Sequence, residues 1–358
     1  MSKKVAVIGC IIGTAIGDAI GLPVEGLSKR RQSLMYPEIS GHHLFMGRGM
    51  VSDDTEHTCM VAQALIVSGG DLQVFSQQLR LRLRFWLLGL PAGIGFATLR
   101  AILKLWLGFS ANSSGVFSAG NGPAMRSAII GVCWGGAGTG ALPLQKLREL
   151  VRISTRITHT DPKAEYGALA VAIAAYLASQ NTDILPQDYY RILTELLPTE
   201  SADFLALINQ AAASAEQQET TADFAARLGF ARGISGYIYS TVPIAIQTWL
   251  RHQNNYRDGI LEIIRCGGDT DTSAAILGGI IGARVGKSGI PSKWVNNLLE
   301  WPRTVQWMEA LGERLAQVCE TGKSQRPLPL LTSAIFPRNL CFLMIILVHG
   351  FRRLLPPY

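Results

Sequence analysis

Four carboxylates stand at two helix starts in this sequence, each pair set among hydroxyls and glycines. The first pair lies in "GRGMVSDDTEHTCMVAQAL", residues 47–65, where Ser52, Asp53, Asp54 and Thr55 follow a glycine-containing loop and precede an amphipathic stretch. The second lies in "CGGDTDTSAAILGGIIGARVG", residues 266–286, where Asp269, Thr270, Asp271 and Thr272 precede the most apolar helix-forming run of the chain. Taken singly, each pair reads best as helix capping, because Ser and Asp accept hydrogen bonds from the free N–H groups of a first turn and acids suit its dipole. Capping accounts for one carboxylate at each start and leaves the other unexplained. Taken together, four acids with adjacent hydroxyls make a hard oxygen-ligand set of the kind that holds Mg²⁺ or Mn²⁺. No Cys/His group at zinc spacing competes, and the "DTD" does not continue into a D-x-D-x-D-G calcium loop.

Helices must position these acids. Apolar residues recur at three- and four-residue spacing through 56–67, 72–88, 122–133, 144–156, 163–179, 203–215, 236–250, 273–285 and 304–319, while no stretch alternates convincingly at period two. The expected fold class is therefore all-α, in a single multi-helix domain over 1–322. Two glycine ladders say how its halves meet. Gly13, Gly17 and Gly21 repeat every four residues, as do Gly278, Gly282 and Gly286. That spacing puts each trio on one helix face, where another backbone can approach closely. A tight crossing of these two helices would bring the start of the chain to the acidic segment at 269–272.

Composition narrows the partners. Of 358 residues, 48% are hydrophobic and 16% charged, which excludes disorder, and the net charge of +7 suits a phosphate-bearing substrate. Lys and Arg are scattered, so nucleic acid is not expected. The six cysteines lie far apart with no C-x-x-C pair, which reads as free thiols in a cytoplasmic protein. "KVAVIGC" has too short an apolar core for a lipoprotein signal, and "GCIIG" does not follow the G-x-G-x-x-G dinucleotide pattern. After residue 322 the chain changes character: 323–358 is proline-punctuated and carries a nine-residue apolar run, Leu340 to Val348. A membrane span needs about 20 residues, so this extension reads as a helix docked on the body or on a partner, with membrane association the less favoured alternative.

The segments "GTAIGDAIGLPVEG", "SDDT", "NGPAMR", "THTDPKAEYGALAVA" and "GGDTDTSAAILGGIIGA", in this order, resemble the ADP-ribosylglycohydrolase family, which includes dinitrogenase reductase-activating glycohydrolase and the ADP-ribosyl-acceptor hydrolases. The resemblance implies an all-α fold with a binuclear Mg²⁺/Mn²⁺ centre that releases ADP-ribose from an ADP-ribosylated protein or small molecule. By position it assigns Ser52, Asp53 and Asp54 to one ligand cluster and Asp269, Asp271 and Thr272 to the other. Glu25 matches an acid beside the metals, and Asn121, Gly122, Met125 and His159 match the substrate side. Arg126, one turn further on, would pair with phosphate or with a neighbouring acid. One departure concerns the acceptor: where several arginine-specific members read Asp-Ile-Gly, this chain has "WLLGLPAGIGFATLRA", with Gly93 at the acidic position.

The chemistry implied is attack of an activated water at the anomeric carbon, with Asp54 or Glu25 as base or proton shuttle and two divalent ions orienting the ribose. Two other readings stand beside it, a catalytically silent ADP-ribose-binding or structural member and a metal-dependent phosphoesterase.

Overall fold

The two glycine ladders do meet, and their meeting organises the molecule. The computed structural model describes residues 1–135 and 141–356, and among these every regular element is helical, with only isolated β-bridges between loops. Ser2 caps the first helix, Lys3–Gly21, by accepting from the Val5 N–H, and fifteen of its residues are buried. It runs antiparallel to the helix Thr270–Val285. Gly9 faces Gly282, Gly13 faces Gly278, Gly17 faces Ala274 and Gly21 faces Thr270. A Cβ on Gly17 would fall against the Ala274 carbonyl, 2.6 Å from its carbon, and one on Gly278 would sit 3.0 Å from the Gly13 carbonyl carbon. Backbone therefore touches backbone along the whole crossing. Gly9 adds a rung that the sequence reading began one turn too late to include.

Around this pair the remaining helices form a shell. Asp53–Ser68, Ala128–Trp134, Val305–Thr321 and Pro162–Ser179 pack on its flanks. Most predicted helices lie within a few residues of their observed bounds. Two differences have physical causes. The single helix expected over 122–133 is two, Gly122–Met125 and Ala128–Trp134, because the fully buried Arg126 between them is drawn into the 154–158 segment and tertiary hydrogen bonds outweigh local periodicity. Short or weakly patterned helices such as Phe96–Trp106 and Tyr256–Ile264 escaped a reading built on long runs. The apolar run Leu340–Val348 lies inside an 18-residue helix, Ile335–Arg352.

The expectation of six free thiols is corrected for one pair. Cys133 and Cys319 form a disulfide across 186 residues of sequence, since Ala128–Trp134 and Val305–Thr321 lie side by side. Sequence spacing carries no trace of a pairing made by tertiary contact. Cys10, Cys59 and Cys266 are free and buried, and Cys341 is free and exposed.

Candidate metal and substrate site

Because the two central helices are antiparallel, the C-terminal end of Lys3–Gly21 meets the N-terminal end of Thr270–Val285, and the chain leaving Gly21 carries Glu25 up to Asp269 and Asp271. The junction is pinned by Thr270 Oγ1 donating to the Gly21 carbonyl at 2.8 Å and by the Gly26 N–H donating to Gly268 O at 2.7 Å. Gly267 and Gly268, at φ +73° and +82°, adopt the left-handed turn that aims the second acidic segment inward.

The first acidic turn is held by a residue that sequence reading passed over. Asp18, fully buried on the first helix, accepts the Ser52 N–H on both oxygens at 3.0 and 2.9 Å, the Thr55 N–H at 3.2 Å and the Thr55 hydroxyl at 2.5 Å. A lone acid inside an otherwise apolar helix, in "GTAIGDAIG", was the available signal. Burial pushes its pKa up to about 7, against the pull of the Thr55 and Ser52 bonds. A second clamp grips the turn from behind, where Arg338 donates to Val51 O and to Glu300, and Glu300 accepts the Val51 N–H.

Held this way, the carboxylates converge. One oxygen each of Asp18, Asp54 and Asp271 lie within 4.8 Å of one another, and so do one each of Glu25, Asp269 and Asp271. Asp271 belongs to both groups. Asp54 Oδ2 receives the hydroxyls of Ser52 at 3.0 Å and Thr272 at 3.3 Å, so these two predicted ligands act here as donors to Asp54. Asp54 Oδ1 and Asp271 Oδ1 are buried and have no hydrogen-bond partner. Burial first, then the neighbouring carboxylates, raises the pKa of both well above the ordinary range. Clustered buried acids with partnerless oxygens are costly alone and suited to a hard divalent cation. The donor set therefore fits the metal centre that the sequence suggested. Asp53 lines the cleft outside both groups of three, its pKa likewise raised by burial and then by Asp18 and Glu56.

The acids form one wall of a cleft of about 620 Å³, and the predicted substrate-side residues Asn121, Gly122, Met125 and His159 line it too. The parallel bridge between Val116 and His159, and that between Ile234 and Gly268, tie these loops together. Asn121 Nδ2 donates to Asp269 Oδ2 at 2.6 Å and to Thr241 Oγ1 at 3.0 Å, so its amide steadies the second acidic segment. His159 lies against the backbone of Gly120 and Gly122, with Nδ1 2.9 Å from Thr158 Oγ1. Burial and then Arg126 depress its pKa to about 3, so the imidazole is neutral at physiological pH. Arg126 is fully buried, does not line the cleft and forms no ion pair among the described residues. It donates to Ser154 Oγ and O, to Thr158 Oγ1 and to His57 Nδ1, and so braces His159 from the interior. Gly93 lines the cleft beside Asp53, and a Cβ there would lie 3.8 Å from Asp53 Oδ1.

This geometry has relatives. An ADP-ribosylglycohydrolase family profile matches residues 2–325. The chain is 24% identical to the ADP-ribosylhydrolase ARH3 of Gallus gallus over 86% of its length and 93% of that protein. It is 24% identical to the ADP-ribosyl-[dinitrogen reductase] glycohydrolase of Rhodospirillum rubrum, over 81% and 89% respectively. In fold it is similar to a solved ADP-ribosylglycohydrolase-related protein complex, with a TM-score of 0.62 and 23% identity over 89% of this chain and 99% of that one. With the profile spanning all but the C-terminal extension, the chain belongs to the ADP-ribosylglycohydrolase family, hydrolases of ADP-ribosyl glycosidic bonds.

Proposed function

We propose that this chain is a metal-dependent hydrolase that releases ADP-ribose from an ADP-ribosylated acceptor by delivering water to the anomeric carbon. The observation that carries the reading is the pair of buried, partnerless oxygens, Asp54 Oδ1 and Asp271 Oδ1, in two carboxylate groups that share Asp271. Asp54, Asp269 and Asp271 would hold two divalent cations, Mg²⁺ or Mn²⁺, with Asp53, Ser52 and Thr272 completing the set. When bound, such ions supply Lewis acidity that orients ribose hydroxyls and makes water acidic near neutral pH.

The protein's own groups do the rest. Glu25 is the solvent-facing member, and its pKa is raised by desolvation in the cleft and then by Asp269, with Arg353 opposing. A carboxylate so placed takes a proton from water and passes it to solvent or to the departing acceptor. Asp54 is the alternative base. Asn121 fixes Asp269, while His159, neutral and rigid, presents a polar edge to the ribose or diphosphate without adding charge. Gly93 supplies no carboxylate of its own to grip a guanidinium, which leaves Asp53 as the acid beside it and favours acceptors other than arginine if Asp53 is taken up by metal.

The test is product analysis on arginine-, serine- and O-acetyl-linked ADP-ribose in parallel. Free ADP-ribose, lost with EDTA and restored by Mg²⁺ or Mn²⁺, supports the reading. AMP with ribose phosphate would assign cleavage to the diphosphate. Tight binding of ADP-ribose without any turnover would assign a silent binding member.

A further inference from the structure

The helix Ile335–Arg352, beyond the family match, has two faces. The inner one is tied to the body along its length. Arg338 pairs with Glu300, Asn339 Nδ2 donates to Gly89 O at 2.7 Å, Phe342 is buried, and His349 Nε2 contacts Leu44 O. The outer face carries Phe336, Leu340, Leu343, Met344, Leu347, Val348 and Phe351, spaced at three and four residues and 39% to 67% exposed. Only 17% of the apolar window Thr332–Arg352 is buried. At about 27 Å the helix is long enough to approach a span, but a span would strip Arg338, Asn339 and His349 from these partners.

The fold sets a second apolar surface beside it. The helices Leu72–Leu88 and Phe96–Trp106 form a hairpin that exposes Leu81, Phe85, Leu88, Phe96, Leu103 and Trp106. Leu81, Phe85 and Leu88 share a groove of about 830 Å³ with Ile335 and Phe336, and Ala92 of the hairpin loop packs against the cluster around Phe342. Hairpin and helix therefore lie edge to edge. Charge adds the deciding observation. Residues 72–148 and 321–358 contain no Asp or Glu, while Arg100, Arg326 and Arg352 are exposed within them.

We propose that this joint face, the outer stripe of Ile335–Arg352 with the adjoining hairpin, docks in the plane of an anionic lipid surface. An amphipathic helix fixed to a folded body, with aromatic and aliphatic residues outward and arginines but no acids in its own two segments, matches the boundary between acyl chains and anionic headgroups, and the exposed acid beside it, Glu25, lies next to Arg353. A second copy of the chain fits less well, since a two-fold contact sets a patch against itself and would bring Arg100, Arg326 and Arg352 together with no acid from either segment to meet them. The docking is independent of the hydrolase reading. The hairpin loop also supplies Gly93 and Phe96 to the cleft, so the docked face adjoins the mouth of the site.

The test is flotation of the full chain with vesicles of phosphatidylcholine alone and of equimolar phosphatidylcholine and phosphatidylglycerol. The protein should float with the anionic vesicles, less so as salt rises, and remain below with the neutral ones. L340E/L347E should reduce binding by roughly tenfold or more, and R100Q/R352Q by roughly fivefold per charge, with the thermal midpoint unchanged. Should L340E/L347E misfold, F85Q/L88Q on the hairpin reads the same face. A wild-type chain that ignores anionic vesicles overturns the proposal. So does one whose binding survives these substitutions, or one that is a dimer by light scattering and is dissociated by L340E/L347E without vesicle binding.

Discussion

Replacing Arg338 by methionine tests how far the C-terminal extension supports the site. Arg338 is 2% exposed and donates to Glu300 Oε1 at 2.9 Å, to Glu300 Oε2 at 2.6 Å, to Val51 O at 2.6 Å and to Asn339 Oδ1 at 3.1 Å. Glu300 keeps only the Val51 N–H, at 3.2 Å, once the arginine is gone. Methionine fills much of the volume, so the loss comes from buried charge, with Arg303 left as the one cation against both Glu300 and Glu56, which costs up to about 3–5 kcal/mol. The double variant R338M/E300Q removes both charges and should recover most of that loss, leaving about 1–2 kcal/mol for the Val51 contacts. The pH dependence follows. Burial already raises the Glu300 pKa above 4.5 against the pull of Arg338, and without the arginine it rises further. A carboxyl whose folded pKa is raised costs nothing below its unfolded pKa, near 4.5, and destabilises increasingly as pH climbs towards the folded value. The deficit of R338M relative to wild type should therefore shrink as pH falls towards that unfolded value. Urea unfolding of the three proteins across this range measures it. A deficit under about 1 kcal/mol at neutral pH, or a double variant no more stable than R338M, would refute the account.

Four further outcomes are expected. Gly17→Leu should lower the thermal midpoint sharply or prevent folding, because its Cβ meets backbone at Ala274 that cannot yield; overpacking costs about 1–3 kcal/mol or more, and an unchanged calorimetric midpoint would mean that the helices do not cross so closely. Asp271→Asn should abolish hydrolysis yet raise the stability of the EDTA-stripped protein, since it removes one of the crowded buried carboxylates, and isothermal titration should show weakened Mn²⁺ binding; retained Mg²⁺-dependent turnover would contradict the site. Thr158→Val should release His159 from its Nδ1 partner and lower turnover, at a stability cost of about 1–3 kcal/mol because Arg126 also donates to that hydroxyl, with far-UV circular dichroism as the control for folding. Gly93→Asp should raise cleavage of arginine-linked ADP-ribose over serine-linked by roughly ten- to a hundred-fold, at a stability cost of about 1–2 kcal/mol because φ there is +82°; equal rates on both linkages in wild type and variant would show that another acid receives the guanidinium.

Local pattern in the sequence was enough for the helical class, for most long helices and for singling out the two acidic helix starts. The periodicities and the four-residue glycine spacing are printed along the chain, and small residues on one face have one economical use, a close crossing. From that crossing even the meeting of Glu25 with the 269–272 segment could be anticipated. Residues whose roles depend on partners distant in sequence were not legible. Asp18 has no local feature that marks its role, which comes from the Ser52–Thr55 turn folded over it. Arg126 was expected to pair with phosphate or with a neighbouring acid, but its direction depended on Ser154 and Thr158. The Cys133–Cys319 disulfide and the Arg338 clamp likewise join segments with no shared pattern. Residue type and spacing determine which elements form and which side chains can do chemistry. Where each buried polar group points is decided by the partners that satisfy it, because an unpaired group in the interior costs more than local preference can supply, and only the tertiary structure brings those partners together.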